Sequence, residues 1–415
     1  MSLLKINYTN CFNKKNKALF EELISSKDNQ SKINNIINNS EFLKIINNYN
    51  EIENIKLSSD KFSKDFENIC ILGTGGSSLG AQALIGILPD CDLKKVFYYF
   101  ENIDPIFFEK KINQINLAKT GFIVISKSGS TTETLSQFMV VLKKFEETDL
   151  TSIIHKNFII ITEDTKNPIN TIGKLNNINI LEHNKKIGGR FSIFSNVGLF
   201  PACNAGIDIF EFIKGSKQLI SDVNDGSHFY HIEGAALSII MNKLNNMNIN
   251  ALLTYSDALK NFGRWYSQLW SESIGKDGFG TTPVHFIGTT DQHSQIQLYL
   301  DGPRDKFFTI IKTNHKNQGL SIESSNLKNT SFDYLIGKKM GDIMEAEQYA
   351  ITQTIVKNDL PLREIMLDKV NARSLGALMT HFFLETISTG VMLDIDIFNQ
   401  PAVEQGKKIT KDYLF

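Results

Sequence analysis

Five short apolar runs in the first half of the chain do most to limit what it can fold into. They are NICILG (68–73), KKVFYYF (94–100), GFIVIS (121–126), NFIIIT (157–162) and INILEH (178–183). Stretches of helical apolar rhythm at 105–114, 132–147 and 167–175 separate most of them. Short strands that are apolar on both faces, alternating with helices, predict a parallel sheet covered by helices on each side. The second half repeats the pattern, with a helical segment at 230–245 and strand candidates ALLTYS (251–256), VHFIG (284–288) and KFFTIIK (306–312). Long helices are expected at 341–357 and 371–391.

The chain therefore reads as α/β, with two closely packed αβα-sandwich domains built on mainly parallel sheets. Residues 1–60 are expected to form an N-terminal helical extension packed on the first domain. The first domain spans 61–210 and the second 211–390, followed by a C-terminal segment at 391–415. No low-complexity linker divides the halves, which favours a packed pair over a flexible tandem. In the tail, FNQPAVEQGKK contains a proline and a glycine that argue against one uninterrupted helix.

Composition narrows the function classes. A formal net charge of −1 argues against a nucleic-acid partner held by backbone electrostatics. No run is apolar for long enough to span a bilayer, and the start lacks the pattern of a signal peptide. Cys11, Cys70, Cys91 and Cys203 are too scattered for a zinc site or a disulfide scaffold, which suggests a reduced, cytoplasmic setting. No histidines show a metal-ligand spacing with a downstream partner, so no metal is expected.

Two turns stand out at the C-terminal ends of strands, where open α/β sheets bind ligands. SKSGSTTET (126–134) combines hydroxyls, a flexible Gly129 and a following helix, with Ser130 or Thr132 as candidate caps. A helix N-terminus beside hydroxyl donors favours an anion. GTGGSSLG (73–80) fits neither a dinucleotide fingerprint nor a P-loop, but Gly73, Gly75 and Gly76 allow close backbone approach and Ser77 offers a hydroxyl. Two independent tight turns would produce the same residues.

Further along, Arg190 in GGRFS could steady a negative oxygen or form a structural ion pair. Gln268 and Glu272 stand four apart in RWYSQLWSESIGK, on one face if helical. Trp265, Leu269 and Trp270 would shield such a carboxylate from water and suit it to general-base work; a surface or paired glutamate is the simpler reading. His293 follows a strand in a polar loop and suits acid–base chemistry, whereas His285 within that strand reads as structural. Lys407 is either a proton carrier or a solvated tail lysine. Together these parts fit enediol isomerisation of a sugar phosphate, which needs no cofactor.

GTGGSSLG, SKSGSTTET, GGRFSIFSNVGL, SESIGK, GTTDQHSQIQLYLDGPRD and FNQPAVEQGK, in that order, resemble the glucose-6-phosphate isomerase family. The resemblance implies sugar-isomerase-type (SIS) domains and reversible conversion of glucose 6-phosphate to fructose 6-phosphate through ring opening and a cis-enediolate. It implies a glycolytic and gluconeogenic role and a homodimer. It places phosphate on Gly76, Ser77, Ser126, Lys127, Ser128 and Thr131. Glu272 becomes the proton-transferring base, with Gln268 and Gln400 beside the sugar and Arg190 steadying the intermediate. His293, lent by the neighbouring subunit, and Lys407 would assist ring opening. Ile274 stands where the family has a polar residue and is expected to reshape the cleft; Lys185, Asn399, Pro401 and Ala402 also depart from the family pattern. An isomerase of another sugar phosphate, or a non-catalytic sugar-phosphate binder, are the alternatives.

Overall fold

The computed structural model describes residues 3–323 and 325–414. In chain order its strands are β1 (Lys5–Thr9), β2 (Asn68–Leu72), β3 (Val96–Phe100), β4 (Thr120–Ile125), β5 (Phe158–Thr162), β6 (Asn179–Glu182), β7 (Ile249–Thr254), β8 (Thr282–Ile287), β9 (Lys306–Thr313) and β10 (Leu362–Leu367). They form two five-stranded sheets. The first has the order β3-β2-β4-β5-β6 and is parallel throughout. The second has the order β1-β10-β9-β7-β8, parallel except for β1, which runs antiparallel to β10.

The apolar runs explain the first sheet. Every residue of β4 and β5 is buried, as strands covered on both faces require. Phe122 stacks on Phe158 with ring centroids 4.9 Å apart, and Phe138 and Phe145 close over them from the Thr132–Glu147 helix. A side chain of this kind, fully buried, contributes about 1.5–3 kcal/mol. A single apolar cluster continues from Ile69, Ile71 and Ile123 of the first sheet, through Phe194, Trp265 and Phe383, to Leu252 and Ile365 of the second. Trp265 and Phe194 contact Phe383 at 5.4 and 5.6 Å between ring centroids.

The N-terminal region differs from the helical extension expected. Lys5–Thr9 is a strand on the edge of the second sheet, in register with β10 from Thr9↔Leu362 to Lys5↔Met366. Ile6 and Tyr8 alternate inward, and the run is too short and too polar around them to stand out. The four helices that follow pack on both halves: Lys14–Ser25 lies on Tyr230–Asn245, Lys27–Asn39 on Ala372–Leu393, and Tyr49–Ser63 on Asn196–Ala205. β10 was also unexpected, because Arg363 and Glu364 interrupt its apolar pattern. In the tail, Pro401 opens a 3₁₀ turn and a helix follows at Glu404–Leu414 with Gly406 inside it, so only the proline breaks the segment. Among the described residues no helix is long and apolar enough to cross a membrane.

Candidate active site

β2 and β4 are neighbours, so the two small-residue turns leave the sheet side by side. The Gly-rich turn packs directly on the GGR segment. A Cβ on Gly76 would stand 2.3 Å from the Gly189 carbonyl carbon, so only glycine permits this contact. Ser192 holds the junction by donating to the carbonyls of Gly189 (2.7 Å) and Gly76 (3.3 Å). Ser77 is half-buried at the end of this turn.

In SKSGSTTET, Gly129 adopts φ +61° with the Asn167 side chain packed where a Cβ would lie. The helix cap falls on Thr131, one residue away from either expected candidate, and its side chain makes no cap bond. Thr131 Oγ1 is instead 3.0 Å from Ser126 Oγ, which is buried. Ser128 is exposed and accepts from Ser130 Oγ at 3.0 Å and from its backbone N–H at 3.3 Å. The Lys127 ammonium lies 3.8 Å from Glu163. Burial lowers its pKa, Glu163 opposes that, and the charge on Arg190 lowers it further.

Glu272 sits on the Lys260–Ile274 helix. Phe262, Trp265, Tyr266, Leu269, Trp270 and Ser273 bury one side of that helix, with Gln268 and Glu272 half-buried along its edge. Trp265, Leu269 and Trp270 are buried as expected, but they do not close off Glu272, whose side chain is 31% exposed and whose oxygens are paired. Arg190 Nη1 donates to Oε2 at 3.1 Å and Gln268 Nε2 donates to Oε1 at 3.0 Å. The ion-pair reading of Arg190 is the one the geometry carries: the residue is buried and paired with Glu272.

All five guanidinium donors of Arg190 are used. Nε donates to Ser273 Oγ (2.8 Å), Nη1 to Glu272 and to Gln400 Oε1 (2.8 Å), and Nη2 to the carbonyls of Ile397 and Asn399, the latter at 3.1 Å. The tail is pinned here a second time, where Lys276 donates to the Asp396 carbonyl and, at 3.1 Å, to that of Ser273. Burial and then repulsion from Arg190 lower the Lys276 amine. Lys127 and Lys276 both lie within electrostatic reach of Arg190, a concentration of positive charge that favours an anionic ligand.

A family model, described as phosphoglucose isomerase, matches residues 28–414. The chain belongs to the phosphoglucose isomerase family. A probable glucose-6-phosphate isomerase of Methanococcus maripaludis is 36% identical over 366 residues, covering 86% of this chain and 80% of that protein. Among solved structures, a hypothetical protein of Thermus thermophilus superposes with a TM-score of 0.86 at 23% identity, over 99% of this chain and all of that one. A glucose-6-phosphate isomerase of Chlamydia trachomatis gives 0.77 at 22% identity, over 88% and 73% of the two chains. At those identities the structural likeness speaks for the shared sugar-isomerase-type fold.

Within this phosphoglucose isomerase family member, the structure brings Arg190, Gln268, Glu272 and Gln400 into one bonded cluster, with Gly76 against its base. Two candidates stand elsewhere. His293 is exposed in a 3₁₀ turn after β8, with no hydrogen bond or ion pair to the cluster among the described residues. Lys407 is exposed on the tail helix and pairs with Glu404 at 2.6 Å. Ile274 is 1% exposed and lies in the core, so it does not reshape the cleft as expected. Ser273, missed as a partner of Arg190, could have been found: it adjoins Glu272 and faces the buried side of an amphipathic helix. The backbone acceptors at 397 and 399 carry no sequence signal.

Proposed function

We infer that this chain interconverts glucose 6-phosphate and fructose 6-phosphate. The observation that carries the reading is the Arg190–Glu272–Gln268 cluster beside two small-residue loops, in a chain whose relatives carry that activity in their names. In this reading the 61–210 domain anchors phosphate through Ser77, Ser128, Thr131 and Lys127, with Ser126 bracing Thr131. The 211–390 domain moves the proton. With the ring open, Glu272 takes the C2 proton of the aldose and returns it to C1, and the cis-enediolate between these steps is steadied by the Arg190 charge. Gln400 is the partner Arg190 can exchange for a substrate oxygen, since it is a side chain on a tail segment, whereas the remaining acceptors are carbonyls or belong to the helix of Glu272. Gln268 orients the Glu272 carboxylate.

His293 and Lys407 serve ring opening in this scheme, and both must reach the cluster from outside it. An exposed His293 fits donation to the cleft of a second subunit in a homodimer, and an exposed tail helix fits closure over the sugar. A cytoplasmic setting, where hexose phosphates are processed, suits the reading. The buried position of Ile274 removes one basis for a different sugar phosphate as substrate.

A coupled assay on fructose 6-phosphate tests the activity, with mannose 6-phosphate and glucosamine 6-phosphate as comparisons; kcat/KM highest for another epimer would reassign the substrate. Mixing His293→Ala and Glu272→Gln proteins tests the shared site. Verified heterodimers should regain part of the activity, and their failure to do so would refute donation across the interface.

A further inference from the structure

Gln268 and Glu272 share their helix face with a third side chain, Arg264, which opens the RWYSQLWSESIGK stretch but was given no role there. Its guanidinium reaches toward the first sheet, with Nη2 3.2 Å from Glu101 Oε2 and Nη1 3.2 Å from Gln82 Oε1. Glu101 directly follows β3. Its carbonyl accepts from Thr74 Oγ1 at 3.0 Å, inside the Gly-rich turn. The next carbonyl, that of Asn102, accepts at 2.9 Å from Gln137, on the helix that SKSGSTTET opens. Gln82 donates in turn to Ser78 Oγ at 2.8 Å, at the end of the Gly-rich turn. Two residues after β3 are thus bonded to both phosphate-loop elements and to the helix carrying the base.

As a source of stability this ion pair is weak: Arg264 is 48% exposed, and exposed pairs contribute little. Its placement matters more. One domain holds the phosphate and the other moves the proton, so the spacing between them must match the sugar. We propose that Glu101 and Arg264 are positioning residues that set the distance between the phosphate-holding loops and the Glu272 carboxylate. The proposal rests on the isomerase reading. Neither residue touches the reacting atoms; both act through Thr74, Gln137 and the shared helix. A displacement of about 1 Å at a reacting centre can cost on the order of 100-fold, so even a partial shift of the helix would be visible in turnover.

The test uses full-length Glu101→Gln, Arg264→Gln and the double variant. It measures kcat and KM for fructose 6-phosphate, the inhibition constant of inorganic phosphate, and Tm. Each single variant should lose about 5- to 20-fold in kcat, and the double variant no more than the worse single, because the pair acts as a unit. Phosphate inhibition should stay within about twofold of wild type and Tm within about 2 °C, as expected for an exposed pair. Singles within about twofold of wild type in kcat, additive losses in the double, losses that track a fall in Tm, or phosphate inhibition weakening in step with kcat would each overturn the proposal. If Glu101→Gln fails to fold, Arg264→Gln carries the same kinetic test from the exposed end of the pair. Wild-type protein in the same assay separates the two levels. No wild-type turnover refutes the isomerase reading and the proposal with it, while wild-type turnover with undiminished variants refutes the positioning role alone.

Discussion

Two arginine–glutamate pairs lie near the centre of this molecule, and they are built to opposite ends. Arg363 and Glu385 are closed on every side, with side chains 2% and 0% exposed and Nη1 contacts of 2.8 and 2.7 Å to the two carboxylate oxygens. Thr309 Oγ1 accepts from Arg363 Nε at 3.1 Å, His381 Nε2 lies 3.2 Å from Glu385, and the rings of Phe307 and Phe382 flank the guanidinium. Burial pushes the Glu385 carboxyl up, but Arg363 and His381 more than offset it and hold the group below its ordinary value. Arg190 is as deeply buried, yet its partner Glu272 is not. The first pair has no route to exchange a proton with a ligand. The second leaves its carboxylate side chain 31% exposed. Burial of the arginine is common to both, so it is the exposure of the acid that separates a structural pair from one able to react.

The largest effect should come from removing the proposed base. Glu272→Gln keeps the shape and should lower kcat on fructose 6-phosphate by about 10³-fold or more, in line with general-base losses. Thermal melting should fall less than in Glu385→Gln, because the carboxylate removed is 31% exposed; unaltered turnover would erase the contrast between the pairs. Glu385→Gln should do the reverse. Leaving Arg363 buried without its counter-charge costs about 3–5 kcal/mol, to be read from denaturant midpoints, while kcat of the folded fraction stays within a few-fold of wild type. Arg190→Lys keeps a charge but loses the fork that meets five acceptors, and a drop of about 100-fold in kcat is expected from steady-state kinetics.

The smallest effect concerns pH. Burial pulls His183 down to about 4, His231 to about 3 and His228 to about 2, with His381 adding to the last two. Unfolded histidines titrate near pH 6.5, so on acidification the unfolded chain takes up protons first. This contribution is complete above about pH 6.5 and is lost as pH falls toward the folded values. Tm measured from pH 7.5 down to 5 should therefore decline, and His231→Leu should flatten the slope. An equal slope in that variant would exclude His231 as a source.

What could be read in advance follows from how local each signal was. β4 and β5 announce themselves because both faces are buried, which leaves a continuous apolar run. Glu272 and Gln268 were legible as an i,i+4 pair, and Arg190 stood out beside two glycines. β10 was not, because Arg363 looks like a surface charge until Glu385, more than three turns into the Ala372–Leu393 helix, is found beside it. The five acceptors of Arg190 are spread from residue 272 to residue 400, so no window of sequence could show that its donors are fully used. Arg264 and Glu101, 163 positions apart, were invisible for the same reason.

The edge pairing of β1 with β10 also has a consequence for how the chain is made. Thr9 meets Leu362, so β1 has no partner until β10 has been made. At about 5–20 residues per second, synthesis of the intervening chain takes roughly 20–70 s. For that interval Lys5–Thr9 is an unpaired strand, and the second sheet lacks this edge. Unpaired edges invite pairing with other chains. Expression at lower temperature or with added chaperone should therefore raise the yield of the full-length protein chiefly by protecting this late-closing seam.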